Sequence, residues 1–529
     1  MTIYGNWSAY DELSDGVPLT EELAMRQLRE VVRLKSLGVR FDAYLMDAFW
    51  FDPDGGYRTW RKPNWPDGPQ GWLDVCAEHG LIPGLWFTAN TLCHINPAQA
   101  WKDSVDANNW GMCCFQGGFL ADYVDVLGFW YGQGIRIFKL DFADFTAAPP
   151  GLKAELPVEE IRARNQEAFR EALLGFRLTH PDARFLGFNG FESVEYMDRT
   201  DRPLECVIDL RWLEVFDSIY SGDPRPADVP CVPFWRSVDI YGDHTTRVLE
   251  HSGVPTGRID NCGFMAGPTG TCCWRGKAMW KGMFLLTLAR GGILNVLYGD
   301  MSQFDEADAI WMAKAQALFE GKPQSVGFGG VPGSGEAYGW ALGEDLCAVV
   351  NPQPTPSDID LVERPWRILF TDSGFVPALS EGSIELGPYQ MAILGIDGPS
   401  FGVQQDCVSQ VRKRAYCLVV DRSPAKMTVD FAPGDLRIVV RQRDADGRLV
   451  RTFSGSKSAA SAISIQAWQV DVEIPVVRHD DKVVWSGMSW AIADLIASGE
   501  DPVRIFVEAH DPLVAKLEVE IWSADAQSA

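Results

Sequence analysis

The chain is poor in the residues that hold metals and build disulfide scaffolds. Only seven of its 529 residues are histidine, and none lies in an HxH or HExxH pattern, which counts against a metal-dependent hydrolase. The twelve cysteines include the adjacent pairs Cys113–Cys114 and Cys272–Cys273, but no CxxC zinc spacing. We therefore expect reduced thiols, no metal site and no other cofactor.

Basic residues and long apolar runs are also scarce. The 47 Lys and Arg against 72 Asp and Glu give a net charge of −25, which argues against nucleic acid or an anionic membrane surface as a partner. The apolar stretch GMFLLTLARGGILNVLYG is interrupted by Arg290 and two glycines, so we expect no membrane span. The opening residues, MTIYGNWSAYDEL, lack the pattern of a signal peptide, and we expect a cytoplasmic location.

What the chain does contain is a repeated alternation of strand-like and helix-like segments. Strands are predicted in TIYGNWSAY, VRFDAYLMDAFWF, LIPGLWFTAN, IRIFKLDFADF, ARFLGFNGFE, GRIDNCGFM and ILNVLYGD, with helical segments between them. The sixth strand is open between ECVIDLRWLEVFDSIYSG and VPCVPFWRSVDIYGDH. Repeated parallel βαβ units of this kind predict an α/β fold, a (β/α)8 TIM barrel over residues 1–322.

After residue 322 the pattern changes to short strands separated by turn residues. Segments such as GEAYGWALGEDLCAVVNPQ and SIELGPYQMAILGI predict an antiparallel β-sandwich over residues 323–399. Residues 400–529 are again rich in strands and predict a second sandwich-like domain. The sequence thus predicts a barrel followed by one or two β-sandwiches, with domain limits at 1–322, 323–399 and 400–529.

Polar side chains end most of the predicted barrel strands, and the active site of a TIM barrel lies at that end. The residues collected in this way are Asp11, Asp47, Trp50, Asn90, Lys139, Asp141, Asp144, Asn189, Glu192, Asp217, Asp223, Arg236, Asp239, Asp243, Asn261 and Asp300. Carboxylates, amides and aromatic rings dominate this set, and no glycine-rich phosphate loop accompanies it. Such a ring suits a neutral, polyhydroxylated ligand.

The segment FKLDF on the fourth strand carries the sharpest chemical signal. Lys139 and Asp141 are two residues apart, so both side chains point to the same face of the strand. A nearby cation keeps a carboxylate ionised, as a glycosidase nucleophile must be. A second carboxylate must hold a proton, and Asp217, Asp223, Asp239 and Asp243 all remain open for that role.

FKLDF also resembles the nucleophile strand of the α-galactosidases of glycoside hydrolase families 36 and 27. Four further segments are similar to theirs in the same order: NWSAYDE, YLMDAFWF, GLIPGLWF and FWRSVDIYGDH. The resemblance covers about residues 1–400 and implies a barrel that hydrolyses an α-linked galactoside.

Carried over position by position, the resemblance implies a role for each site residue. Asp141 would be the nucleophile and Asp239 the acid/base. The substrate-binding residues would be Asp47, Trp50, Trp86, Lys139 and Arg236, and from the strand ends we add Asn189 and Asn261.

Two departures from the family pattern widen the choice of substrate and residues. The second strand of the family ends in two adjacent aspartates, whereas this chain has Met46 and Asp47, so a sugar other than galactose is an alternative. The spacing from Arg236 to Asp239 is one residue shorter than in several relatives.

The sequence therefore predicts a retaining glycoside hydrolase that acts on an oligosaccharide or glycoside. The alternative is a catalytically inactive carbohydrate-binding protein on the same fold, because a fold alone does not determine chemistry. Assembly into a homo-oligomer is left open.

Overall fold

A computed structural model shows the architecture of the chain. It describes residues 1–7, 19–191, 208–221, 243, 246–260, 263–266, 280–291, 295–330, 336–352, 356–372, 375–387, 389–404, 413–421, 425–445, 463–478, 490–512 and 514–523. Every structural statement below concerns these residues.

The first part of the chain forms a single parallel sheet that runs around a barrel. Its strands are β1 (Thr2–Gly5), β2 (Ala43–Met46), β3 (Ile82–Thr88), β4 (Ile137–Asp141), β5 (Arg184–Gly187), β6 (Ser218–Tyr220), β7 (Ile259–Asp260), β8 (Phe264–Ala266) and β9 (Asn295–Gly299). They are ordered β7-β6-β5-β4-β3-β2-β1-β9-β8, with every neighbouring pair parallel. Only residues 261–263 separate β7 from β8, so these two segments are halves of the seventh barrel strand. Eight strand positions result, which confirms the predicted barrel, and β6 lies in the first of its two candidate segments.

Helices follow the strands on the outside of the barrel. Their bounds are α1 (Glu21–Ser36), α2 (Gln70–Glu78), α3 (Phe119–Gly132), α4 (Pro150–Glu155), α5 (Val158–Thr179), α6 (Trp280–Gly291) and α7 (Glu306–Phe319), and residues 246–251 are also helical. The Thr20 hydroxyl caps α1 by accepting from the Leu23 N–H, and Gly38 follows its C-terminus at φ +99°. Among the described helices, none is both long and apolar enough to cross a membrane.

Two separate layers of apolar side chains pack on the two sides of the barrel sheet. The inner layer fills the barrel and is made of Ile3, Trp7, Ala43, Leu45, Ile137, Leu186, Phe188, Tyr220, Met265, Val296 and Tyr298. The outer layer joins strands to helices and is rich in aromatic rings, among them Trp50, Trp60, Trp72 and Trp130. Because side chains alternate along a strand, a residue belongs to one layer or the other.

Past residue 322 the strands form four further sheets, in which all pairs are antiparallel except β14 with β18. The strands are β10 (Val326–Gly329), β11 (Tyr338–Leu342), β12 (Leu346–Val350), β13 (Ser357–Asp360), β14 (Arg367–Thr371), β15 (Ala378–Ser380), β16 (Ser383–Leu386), β17 (Met391–Gly395), β18 (Gly402–Val403), β19 (Lys413–Asp421), β20 (Lys426–Phe431), β21 (Asp435–Arg443), β22 (Ile463–Gln469), β23 (Val472–Ile474), β24 (Val477–Arg478), β25 (Trp490–Ile496), β26 (Val503–Ala509) and β27 (Lys516–Ser523).

These four sheets pair into two sandwiches, as predicted. In the first, the sheet β10-β11-β12-β17-β14-β18 packs on the sheet β13-β16-β15 through residues such as Val349, Ile384 and Leu394. The other face of the six-stranded sheet belongs to the same apolar core as the outer layer of the barrel. The second sandwich packs β19-β27-β21-β25-β24 against β20-β26-β22-β23. The domain limits 1–322, 323–399 and 400–529 stay predictions, and β18 joins the first sandwich just beyond residue 399.

Candidate active site

The fourth strand brings two charged side chains into the barrel. Ile137 belongs to the inner apolar layer, and Lys139 and Asp141 follow it at intervals of two residues, on the same face. Both are almost fully buried, at 4% and 5% exposure, at the carboxyl end of the strand. Burying two charged groups there is costly unless each finds polar partners, and both do.

Asp141 is held by N–H donors on both of its oxygens. Oδ1 accepts from the side-chain amide of Asn189 at 3.0 Å, from the Asn189 backbone at 3.2 Å and from the Phe142 backbone at 2.9 Å. Oδ2 accepts from the indole N–H of Trp86 at 3.0 Å. A carboxylate is an acceptor for up to about four such bonds. These contacts therefore fix the carboxylate of Asp141 in one orientation.

Lys139 forms a buried ion pair with Asp47. Its Nζ lies 2.8 Å from Oδ2 of Asp47, which is 1% exposed, and 3.9 Å from the centre of the Phe188 ring. The backbone N–H of Asp47 donates to the side chain of Asn6 at 2.8 Å, which fixes the chain at the end of β2. The sequence placed Lys139 beside Asp141 on β4. The structure adds Asp47 from the end of β2, with β3 between the two strands in the sheet.

The two tryptophans expected to line the sugar-binding end have other positions. Trp50 is fully buried in the outer apolar layer, and its indole N–H donates to the backbone oxygen of Trp86 at 2.8 Å. The expectation that Trp50 binds the substrate is corrected, because a ring enclosed between the sheet and the helices has no exposed surface to offer a ligand. Trp86 is 1% exposed, and its indole N–H donates to Asp141, so it orients that carboxylate.

Asn189 comes from the strand next to β4 and reaches Asp141 because the loops after β4 and β5 are joined. The backbone N–H of Ala143 donates to the backbone oxygen of Asn189 at 2.8 Å. Gly190 follows at φ +98°, and a Cβ there would collide with the carbonyl oxygen of Ala143. A glycine is required at this position for the two loops to approach.

Of the four aspartates open for the acid/base role, two are described and both are held elsewhere. Asp217 precedes β6 at the amino end of the barrel, where Arg177 lies 3.0 Å and Arg184 3.5 Å away. Asp243 is fully buried, with Arg290 2.8 Å away. Asp223 and Asp239, with the predicted binding residues Arg236 and Asn261, lie outside the described residues.

One polar residue inside the barrel was missed by the sequence reasoning. Asp260 ends β7, is 5% exposed, and accepts a hydrogen bond of 3.1 Å from the hydroxyl of Tyr298. It directly precedes Asn261, so the strand-end rule pointed to this segment, and the role of Asn261 itself stays a prediction. Within the described ranges, no group of three His, Cys, Asp or Glu side chains is arranged to hold a metal ion.

No protein-family model matches the chain, and a search of the curated proteins finds no match. Solved structures resemble it at low identity. A family 36 α-galactosidase of Geobacillus stearothermophilus aligns at 13% identity and a TM-score of 0.47, over 74% of this chain and 55% of its own length. A family 27 β-L-arabinopyranosidase of the same organism aligns at 12% identity, with a TM-score of 0.49, over 74% and 96%.

A putative α-N-acetylgalactosaminidase of Bacillus halodurans aligns at 14% identity and a TM-score of 0.47, over 74% of this chain and 96% of its own. The chain thus spans about half the length of the family 36 enzyme. Structures of both families named from the sequence are among the matches, and the likeness is one of fold.

Proposed function

We propose that the chain is a retaining glycoside hydrolase that acts on an α-linked sugar, in the manner of an α-galactosidase. The observation that carries this proposal is the carboxylate of Asp141, which four N–H bonds fix at the carboxyl end of β4. A nucleophile must be ionised and correctly oriented, and the four N–H donors serve both requirements, because they favour the charged form of the carboxylate and restrict its rotation.

The reaction proceeds by double displacement. The carboxylate of Asp141 attacks the anomeric carbon while a carboxylic acid gives its proton to the leaving oxygen, which departs as an alcohol. The acid, now a carboxylate, then removes a proton from water as the water attacks the same carbon. The bond to Asp141 breaks, and the sugar is released with its configuration retained.

Asp239 is proposed as the acid/base, with Asp223 as the alternative. Asp217 is set aside because it lies at the amino end of the strands, and Asp243 because its carboxylate is engaged in a buried ion pair. Lys139 and Asp47 are proposed to bind sugar hydroxyls. Met46 stands where the family pattern has a second aspartate, so the resemblance does not identify the sugar. The panel of glycosides below is used to identify it.

The test is hydrolysis of a panel of nitrophenyl α- and β-glycosides by the wild type and Asp141→Asn. We expect release from one α-glycoside and a loss of at least about 10⁴-fold in Asp141→Asn, as when a covalent catalyst is removed. Asp217→Asn is the matched control, an identical change at the other end of the barrel, and it should retain kcat. If the wild type hydrolyses none of these glycosides but still binds a glycan, the alternative of an inactive carbohydrate-binding protein is favoured.

A second assay identifies the acid/base. Asp239→Ala should lose kcat/KM on alkyl glycosides by about 10²- to 10⁴-fold, the usual contribution of a general acid, and retain most of its kcat/KM on dinitrophenyl glycosides, because this constant reports only the steps up to cleavage of the glycosidic bond. These leaving groups depart without protonation. If Asp239→Ala treats both substrates alike and Asp223→Ala shows the selective loss, the role belongs to Asp223.

A further inference from the structure

The residue after the proposed nucleophile has an unusual backbone conformation. Phe142 directly follows the last residue of β4 and lies at φ +50°, in the left-handed region that a phenylalanine rarely adopts. Continued strand alternation would place its side chain in the outer layer, on the side of Phe138 and Leu140. A residue other than glycine is strained in this conformation, and strain of this kind is concentrated at binding and catalytic sites.

Hydrogen bonds from both neighbouring loops impose this conformation. After β5, the backbone oxygen of Asn189 accepts from the backbone N–H of Ala143 at 2.8 Å. After β3, Oδ1 of Asn90 accepts from the backbone N–H of Asp144 at 2.7 Å, and Nδ2 of Asn90 donates to the backbone oxygen of Asp144 at 2.8 Å. The two residues that follow Phe142 are therefore fixed on both sides, and their contacts hold its backbone in the strained form.

The ring of Phe142 lies beside the groups that hold Asp141. It meets the ring of Trp86 edge to face, with centroids 6.2 Å apart and planes at 71°. The indole of Trp86 donates to Oδ2 of Asp141, and the backbone N–H of Phe142 donates to Oδ1. Trp86 is 1% exposed, whereas Phe142 packs against the apolar core and is only partly buried. Phe142 is thus an aromatic residue next to the carboxylate that still has surface to offer a ligand.

We infer that Phe142 is a substrate-binding residue, and that its ring contacts the C–H face of the sugar whose anomeric carbon Asp141 attacks. The inference rests on the proposed function. A pyranose carries its hydroxyls around the edge of the ring and presents C–H groups on its faces, which an aromatic ring can cover. Trp50 and Trp86 are too deeply buried to make this contact. The strained backbone has a role in this arrangement, because it keeps the ring beside the nucleophile and out of the outer layer.

The variant that tests this is Phe142→Leu, which removes the flat ring and keeps an apolar side chain that is not branched at Cβ. We expect KM for the preferred nitrophenyl glycoside to rise about three- to tenfold, the range of one aromatic contact. The inhibition constant Ki of the free sugar should rise by the same factor. This constant measures contact with the sugar itself, because the free sugar carries no nitrophenyl group.

Two further variants separate the ring from the backbone. Phe142→Tyr keeps the ring and should recover most of the affinity for the free sugar. Phe142→Gly accepts a φ of +50° without strain, so it loses the ring and keeps the backbone. It should show the same rise in Ki, and it replaces Phe142→Leu should that variant fail to fold.

Phe129→Leu is the matched control, an identical change at a ring that is 44% exposed on α3, outside the barrel. It should leave KM and Ki unchanged. An unchanged Ki in Phe142→Leu, with or without a fall in kcat, would overturn the inference and leave the proposed function intact. If the wild type hydrolyses no glycoside but binds a glycan, the proposed function fails, and the Kd for that glycan decides the inference in the same variants. A wild type that does neither would remove both.

Discussion

The indole Nε1 of Trp86 donates to Oδ2 of Asp141 across two neighbouring barrel strands, at 3.0 Å. In the sheet register Trp86 pairs with Lys139, and Asp141 lies two residues further along β4. The Trp86 ring is itself fixed, since it stacks on Phe51 with centroids 5.9 Å apart and planes 4° from parallel. The outer aromatic layer thus extends to the proposed nucleophile through a directional contact.

Replacing Trp86 by Phe tests that contact. We expect kcat on the preferred nitrophenyl glycoside to fall by roughly 10- to 100-fold, because a hydrogen bond to a charged group is worth about 1.5–3 kcal/mol. Trp72→Phe is the control, since the buried indole N–H of Trp72 has no partner among the described residues. A Trp86→Phe enzyme as active as Trp72→Phe would mean that the N–H does not orient Asp141.

The buried pair Lys139–Asp47 makes a prediction about stability. Lys139→Met leaves Asp47 buried without its cation, so we expect the free energy of unfolding to fall by about 3–5 kcal/mol. Adding Asp47→Leu should recover part of the loss, since the unpaired charge is then gone. Urea denaturation measures both variants.

The exposed pair Arg164–Glu160 provides the reference for that experiment. Its two atoms are 2.7 Å apart, but about half of each side chain is exposed, at 51% and 47%. Arg164→Met should cost no more than about 1 kcal/mol. If Lys139→Met costs as little, the Lys139–Asp47 pair contributes no more than a surface contact.

Much of the barrel could be predicted because its signals are local. Helix α5 lies between the fourth and fifth predicted strands, where a helical segment was expected, and Lys139 and Asp141 lie at the predicted strand end. Hydrophobic periodicity specifies elements of this kind directly.

The errors and gaps concern contacts between distant segments. Trp50 follows the end of β2 and the residue Phe49 at φ +72°, so strand alternation no longer predicts the layer it joins. Asp243 is an acid/base candidate by its place in the sequence, but its carboxylate accepts a hydrogen bond from Tyr338, 95 residues later in the chain. Neither contact has a signal in the spacing of one sequence.

Thiol chemistry gives a prediction that depends on pH. Burial raises the pKa of Cys76 to about 12 and that of Cys347 to about 12. The thiolate is the reactive form, so at pH 8 both thiols stay protonated and should resist iodoacetamide in the folded protein. In guanidinium, where the pKa of a cysteine returns to about 8.5, both should be alkylated quickly. Peptide mapping by mass spectrometry measures the alkylation of each cysteine in the folded and the unfolded protein. Rapid alkylation of native Cys76 would contradict its burial.

Gly190 connects backbone geometry to the proposed chemistry. Gly190→Ala adds a Cβ that collides with the carbonyl oxygen of Ala143, at a φ of +98° that alanine disfavours. Relief of the collision moves the loop that carries Asn189, the donor of two hydrogen bonds to Asp141. We expect kcat to fall at least about tenfold, and the free energy of unfolding to fall by more than about 1 kcal/mol.

Gly38→Ala tests whether backbone strain alone, at a site away from the proposed nucleophile, lowers kcat. Gly38 has the same backbone conformation, at φ +99°, but the nearest atom to an added Cβ is that of Ala313 at 3.5 Å, and the residue lies at the end of α1. This variant should lose stability by about 1 kcal/mol with kcat unchanged. If both alanine variants lose stability and neither loses kcat, the pairing of Asn189 with Asp141 is not needed for turnover, because the strained loop can then move without affecting the nucleophile.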